Sequence, residues 1–132
     1  MRVTVTGADG MLGKAVMTRL AAWDPVGLTE PRFKLERMDG VVEAITKTRP
    51  DWVVHTAAMT DVDGCEREAE AAYKINTLGT RNVALACSRC RAGLLYISTD
   101  FVFGGRGVDQ PIQAWESPAP ISVYGWSKWL SV

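Results

Sequence analysis

Apolar residues recur along this chain in two rhythms, short β-branched runs alternating with longer stretches at helical spacing. Residues 2–6 form a β-branched run that predicts a buried strand. Residues 11–23 then carry Leu12, Val16 and Leu20 on one helical face, with Ala15 beside them. Residues 25–29 predict a weak second strand and residues 32–36 a short third one. Residues 39–49 predict a helix with Val42, Ile45 and Thr46 turned inward, ended by Pro50. A fourth strand is expected over 51–56. One long helix is expected over 65–91, with Ala69, Ala72, Tyr73, Asn76 and Gly79 on related faces. A fifth strand is expected over 94–98, then a Gly- and Pro-rich loop over 103–120, and a last helix from near Ser122. Strands separated by helices imply right-handed βαβ crossovers and a parallel sheet, an α/β fold of the doubly wound kind. No repeat and no linker divides residues 1–132, so one domain is expected.

Composition narrows the function. Lys plus Arg and Asp plus Glu both number 15, so the net charge is zero and nucleic acid is not an expected partner. No segment approaches the roughly 20 apolar residues of a membrane span. The opening residues lack the apolar run of a secretory leader, so a cytoplasmic location is expected. Three cysteines, Cys65, Cys87 and Cys90, fit a reducing compartment. Cys87 and Cys90 form a CxxC, but no second CxxC or His cluster could complete a zinc site, so they are read as two thiols near a helix end. His55 has no second His anywhere and is read as a packed core residue. The scattered tryptophans are assigned to packing. Asp61 and Asp63 lack the further oxygen ligands a divalent cation needs, so no metal site is expected.

Three motifs carry chemistry. Gly7-Ala8-Asp9-Gly10-Met11-Leu12-Gly13 follows the first strand and opens the first helix. Gly7 permits the tight turn, Gly10 lets the backbone approach a pyrophosphate, and Gly13 lets helix and strand pack closely. The helix N-terminus offers free N–H groups to phosphates. Tyr124-Gly125-Trp126-Ser127-Lys128 is a YxxxK, and i and i+4 share a helix face. A cation near a phenol should lower its pKa and make it a usable acid or base. In Tyr96-Ile97-Ser98-Thr99-Asp100-Phe101-Val102-Phe103-Gly104, an apolar strand ends in two hydroxyls and a carboxylate. Those groups could hold a substrate carbonyl beyond the sheet, or form an ordinary strand-end turn.

These motifs stand in order with 53–58 (Val-Val-His-Thr-Ala-Ala), 60–66 (Thr-Asp-Val-Asp-Gly-Cys-Glu) and 76–82 (Asn-Thr-Leu-Gly-Thr-Arg-Asn). The set resembles the extended short-chain dehydrogenases/reductases over nearly the whole chain. The Ser-Thr-Asp-x-Val-Phe form, with the Thr60–Asp63 stretch, is most similar to the dTDP-4-dehydrorhamnose reductase branch. The resemblance implies a Rossmann-type sheet binding NADPH or NADH and reducing C4 of a nucleotide-linked keto sugar. It implies that Thr99 holds the keto oxygen, that Tyr124 donates the proton, and that Lys128 binds the nicotinamide ribose and lowers the Tyr124 pKa. Asp100 would contact the sugar. Met11, Leu12, Ala57, Ala58 and Thr60 would lie against the cofactor, and Asn76 would support the lysine.

The chain departs from that pattern in three places. At the second strand's end Glu30 fits a ribose 2′-hydroxyl, hence NAD, whereas Arg32 fits a 2′-phosphate, hence NADP. Lys34-Leu35-Glu36-Arg37 replaces an acidic pair usual in the family. Family members run to more than twice 132 residues, so the Rossmann domain is expected to be incomplete, with the substrate-binding part absent. Two other readings stay open on the same scaffold. One is a non-catalytic binding protein resembling the regulatory subunit of methionine adenosyltransferase; the other is a sugar-nucleotide epimerase or dehydratase. A homodimer is left open.

Overall fold

The computed structural model describes residues 1–104 and 111–132. Among them four strands form one sheet: β1 (Val3–Thr6), β2 (Val26–Leu28), β3 (Trp52–His55) and β4 (Gly93–Tyr96). Every pairing is parallel and the spatial order is β2-β1-β3-β4. The chain builds outward from β1 to β2, then returns to lay β3 and β4 on the other side. The order thus reverses between β1 and β3, and such sheets bind ligands in the crevice beyond the carboxyl ends of these strands. Helix α1 (Met11–Arg19) follows β1 and α2 (Met38–Thr48) precedes β3. Between β3 and β4 lie α3 (Val62–Arg67), α4 (Ala69–Ala72) and α5 (Gly79–Cys90), and α6 (Val123–Trp129) comes last.

All four residues of β1 are buried, as a strand covered on both faces must be. Val3 and Val5 join Val54 and pack on Val16, Met17 and Leu20 of the α1 side. The opposite face is thicker: Val53 meets Val41, Ile45 and Val83, each fully buried, together with Phe33, Leu35 and Ala86. Burying such a side chain stabilises the fold by about 1.5–3 kcal/mol. On α2 the inward row is Val41 and Ile45, four apart and facing α5, while Val42 and Thr46 are only half-buried. The tryptophans do not all pack: Trp23, Trp52, Trp115 and Trp126 are 40% to 82% exposed. Trp23 and Trp52 border an open apolar trough on the α1 face, over Val54, Leu95 and Ile97.

Two expected elements are corrected. Residues 32–36 form no strand, so the sheet has four strands among the described residues rather than five. Phe33 and Leu35 do alternate into the core, but no neighbouring strand is there to pair with them; the Asn82 amide instead donates to the Leu35 carbonyl at 2.8 Å. The long helix expected over 65–91 begins at Val62 and breaks at Glu68, whose backbone leaves the helical region (φ −126°, ψ 53°). It then widens into a π-helical turn over Tyr73–Leu78 before α5. Part of the Gly- and Pro-rich loop, residues 105–110, lies outside the described residues.

Candidate active site

The glycine loop is built by sterics. Gly7 takes φ 67°, a left-handed conformation that side chains resist, and a Cβ there would sit 2.7 Å from the Ala57 Cα. A Cβ on Gly13 would collide with the Gly7 carbonyl oxygen, so α1 can lie this close to the strand end only with glycine. Gly10 is different. It caps α1 from extended backbone, and a Cβ there would meet only the Gly7 oxygen, at 3.3 Å. Packing therefore demands Gly13 far more than Gly10, and the space over Gly10 faces outward. Among the described residues no side chain caps α1, which leaves its first N–H groups open to an anion. The Thr56 hydroxyl ties the loop to the sheet, donating to the Thr6 carbonyl at 2.7 Å.

The second part of the site rides on α6. Its N-terminus is capped twice: the Gly125 N–H donates to Ser122 Oγ at 3.0 Å, and the Val123 N–H to Glu66 Oε1 at 2.7 Å. Tyr124 and Lys128 follow on one face, 9% and 5% exposed. The π turn meets this helix through hydrogen bonds. Asn76 Nδ2 donates to Ser127 Oγ at 2.9 Å and to the Met59 carbonyl at 3.0 Å, while Asn76 Oδ1 accepts from the Met59 N–H at 2.8 Å. Thr77 Oγ1 donates to the Ser127 carbonyl and Ser131 Oγ to the Asn76 carbonyl. Asn76 thus supports the helix beside the lysine and makes no hydrogen bond to Lys128 itself.

Lys128 Nζ donates to the Ile97 carbonyl at 2.7 Å and lies 4.3 Å from the centre of the Tyr96 ring. Burial lowers its pKa to about 8. The Tyr124 phenol is also moved, in the direction opposite to expectation. Burial pushes it above its ordinary value, outweighing the lowering influence of the nearby Thr99 hydroxyl, and the Asp100 carboxylate acts in the same direction as burial. The lysine is turned to Ile97 and is not what sets the phenol's pKa. Tyr124 is therefore protonated at neutral pH, the form that can donate. His55 is buried and neutral, its pKa lowered to about 4 by burial and then by the Lys128 charge. Its ring nitrogens contact Thr6 Oγ1 at 2.6 Å and Thr80 Oγ1 at 3.0 Å, as a packed histidine should. Burial pushes the Cys87 thiol up to about 11, and Cys90 Sγ donates to the Ala86 carbonyl. A thiol raised as far as that of Cys87 is a poor nucleophile.

One cleft joins the two parts. A cavity of about 420 Å³ is lined by Leu28, Glu30, Ala57 and Met59, and one of about 210 Å³ by Met11, Leu12, Gly13, Thr60, Tyr124 and Lys128. Gly7, Gly10, Thr56 and Ala58 line both, so the two cavities adjoin over the glycine loop, with Glu30 at one end and Lys128 at the other. Arg32 lies instead in a neighbouring groove with Lys34 and Arg37. Thr99 and Asp100 line neither cavity. Thr99 Oγ1 donates to Asp100 Oδ1 at 3.2 Å and accepts from the Phe101 N–H, capping a short turn beside Tyr124. The sequence reading missed Ser127, Tyr96, Thr56 and the Ile97 carbonyl. Ser127 and Ser131, i and i+4 on one helix, were the available signal for a polar buried face. No group of three or more His, Cys, Asp or Glu side chains that could hold a metal ion is found among the described residues.

A glycine-built helix N-terminus at the switch point of a parallel sheet, with a Tyr–Lys pair beyond it, defines a Rossmann-type α/β protein of the short-chain dehydrogenase/reductase class. Comparison with known proteins narrows this. The family model described as RmlD substrate binding domain matches residues 1–131, and the chain belongs to that family. It is 36% identical over 129 residues to a dTDP-4-dehydrorhamnose reductase of Mycolicibacterium smegmatis, covering 96% of this chain and 39% of the relative. The solved dTDP-4-dehydrorhamnose reductase of Bacillus anthracis, in complex with NADP, superposes with a TM-score of 0.90 at 39% identity, covering 98% of this chain and 47% of that one. Methionine adenosyltransferase 2 subunit beta of Pongo abelii is 34% identical over 136 residues, covering 96% of this chain and 40% of its own length. The chain spans less than half the length of these relatives.

Proposed function

We propose that residues 1–132 form the cofactor-binding half of an NAD(P)H-dependent reductase acting on a nucleotide-linked 4-keto-6-deoxy sugar of the dTDP-4-dehydrorhamnose type. The observation that carries the proposal is the pair of adjoining cavities from Glu30 to Lys128, which meet over a loop whose Gly10 leaves room for a phosphate. The residues fit a dinucleotide. The free N–H groups at the start of α1 would take the pyrophosphate, with Met11 and Leu12 beside it. Glu30 would accept from a ribose hydroxyl. Ala57, Ala58 and Thr60 would flank the nicotinamide half, and Lys128 would donate to its ribose. A dihydronicotinamide bound there supplies the hydride. Tyr124, kept protonated by burial, gives its proton to the sugar oxygen, and Thr99 beside it steadies that oxygen. Asp100 would meet the sugar. The same proposal puts the protein in the cytoplasm, where its three free cysteines stay reduced, and leaves a homodimer open.

The likeness to a methionine adenosyltransferase subunit favours a second reading, a cofactor-binding partner protein without turnover. One experiment separates the two. Tyr124→Phe is made in a polypeptide carrying the family's full length, and NADPH oxidation is followed with a dTDP-linked 4-keto sugar. A reductase loses about 10²–10⁴-fold in kcat while cofactor Kd holds within about twofold. Equal loss of binding and turnover contradicts the role given to Tyr124, and a wild-type protein that binds NADPH without oxidising it favours the partner reading.

A further inference from the structure

We propose that Tyr96 is a positioning residue that holds Lys128 at both of its ends, its hydroxyl bonded to the lysine's carbonyl and its ring lying under the ammonium. The inference rests on the reading of Lys128 as a cofactor-contacting group. Tyr96 closes β4 and Lys128 lies 32 residues further on, in the last turn of α6. The Tyr96 hydroxyl donates to the Lys128 carbonyl at 3.0 Å. That carbonyl belongs to the last turn of the helix, where backbone acceptors lack i+4 donors and take longer or side-chain partners. The Ser131 N–H reaches it only at 3.4 Å, so the Tyr96 hydroxyl adds the shorter bond and pins the end of α6 to the sheet. The same ring lies 4.3 Å from Lys128 Nζ, inside the range where an aromatic face attracts a cation.

The arrangement answers a physical problem. Lys128 is only 5% exposed, and no carboxylate lies within salt-bridge distance of its ammonium among the described residues. A buried cation needs a substitute for water. Here the Ile97 carbonyl takes one N–H at 2.7 Å and the Tyr96 face lies against the charge. An ammonium has three donors, so these contacts leave donor capacity for the cleft that Lys128 lines. The ring is steadied from the side by His55, whose ring centre is 6.1 Å away and which Thr6 and Thr80 hold in turn. Tyr96 thus sets both where the helix end lies and where the lysine head can rest.

Two substitutions separate the two contacts. Tyr96→Phe keeps the face and removes the carbonyl bond; Tyr96→Leu removes both. The readouts are the Lys128 titration midpoint, followed by NMR of its side chain, and the NADPH Kd from fluorescence. The expected result is that Tyr96→Phe keeps the midpoint. Tyr96→Leu should lower it by about one pH unit, because the charged form loses its aromatic support, and raise the NADPH Kd about tenfold. Should Tyr96→Leu not fold by circular dichroism, Tyr96→Trp serves, and a midpoint kept within about 0.3 of wild type supports the proposal. A Lys128 midpoint unchanged in Tyr96→Leu, or shifted as far by Tyr96→Phe, overturns it. Failure of the wild-type chain to bind NADPH would sink the cofactor reading alone, since the titration still measures what Tyr96 does to Lys128.

Discussion

The two ends of the cleft are built on different principles. At the glycine end the work is done by backbone and by missing side chains. Gly7 supplies a left-handed turn, Gly13 a close approach, and α1 its unpaired N–H groups. At the Tyr–Lys end the work is done by side chains, each held by a neighbour: Ser127 by Asn76, Lys128 by Ile97 and Tyr96, the helix start by Glu66. The difference teaches where each end is fragile. Gly7 and Gly13 cannot be replaced without moving backbone, so damage there reaches the fold. A hydrogen-bonded side chain can be trimmed with the backbone intact, so damage there reaches chemistry first.

The sharpest break comes from Gly13→Val. Its added atoms meet the Gly7 carbonyl and the Ala8 backbone, so urea denaturation should show a loss of about 3 kcal/mol or more. Next comes pH, through His55 between the two ends. Its folded pKa of about 4 lies below the ordinary 6.5, so the neutral form is the folded form. The stability it permits is complete above 6.5 and falls as pH drops towards 4, by about 1.4 kcal/mol per pH unit. Thermal melts across that window should show the slope, and His55→Gln should flatten it.

Lys128→Met tests the other end. A lysine whose folded pKa is about 8 rather than 10.5 costs the fold stability at neutral pH; the loss sets in as pH falls from 10.5 and is complete below 8. The substitution should therefore raise stability at pH 7 by about 1–3 kcal/mol, seen as a higher Tm, while weakening NADPH binding. The smallest effect belongs to Ser127→Ala, which leaves one Asn76 N–H without its acceptor. About 1 kcal/mol should be lost by urea denaturation.

The sequence made the glycine end legible because its causes are local. A turn, a helix start and a close approach each need glycine at a fixed offset, and all three glycines stood there. Tyr124 and Lys128 were legible for the same reason, four apart on one helix. What held them was not. Tyr96 and Lys128 lie 32 positions apart, and Asn76 and Ser127 lie 51 apart. Only the folded sheet and the π turn bring them together. The direction of the Tyr124 shift was misjudged for a related reason. Spacing reveals a shared helix face but not the burial that raises the phenol, nor the Ile97 carbonyl that turns the lysine away. The strand expected over 32–36 failed because alternation of Phe33 and Leu35 records burial without recording a partner strand.

The central claim is that the cleft over Gly10 holds a dinucleotide, and fluorescence titration of the 132-residue chain with NADPH and NADH tests it most directly. Gly10→Val serves as the control, since Gly10 lines both cavities and a Cβ there meets only the Gly7 oxygen, at 3.3 Å. The expected result is saturable binding with Kd between about 1 μM and 1 mM, lost in Gly10→Val while cooperative unfolding is kept. No binding by a wild-type chain that unfolds cooperatively, or equal binding by Gly10→Val, would contradict it.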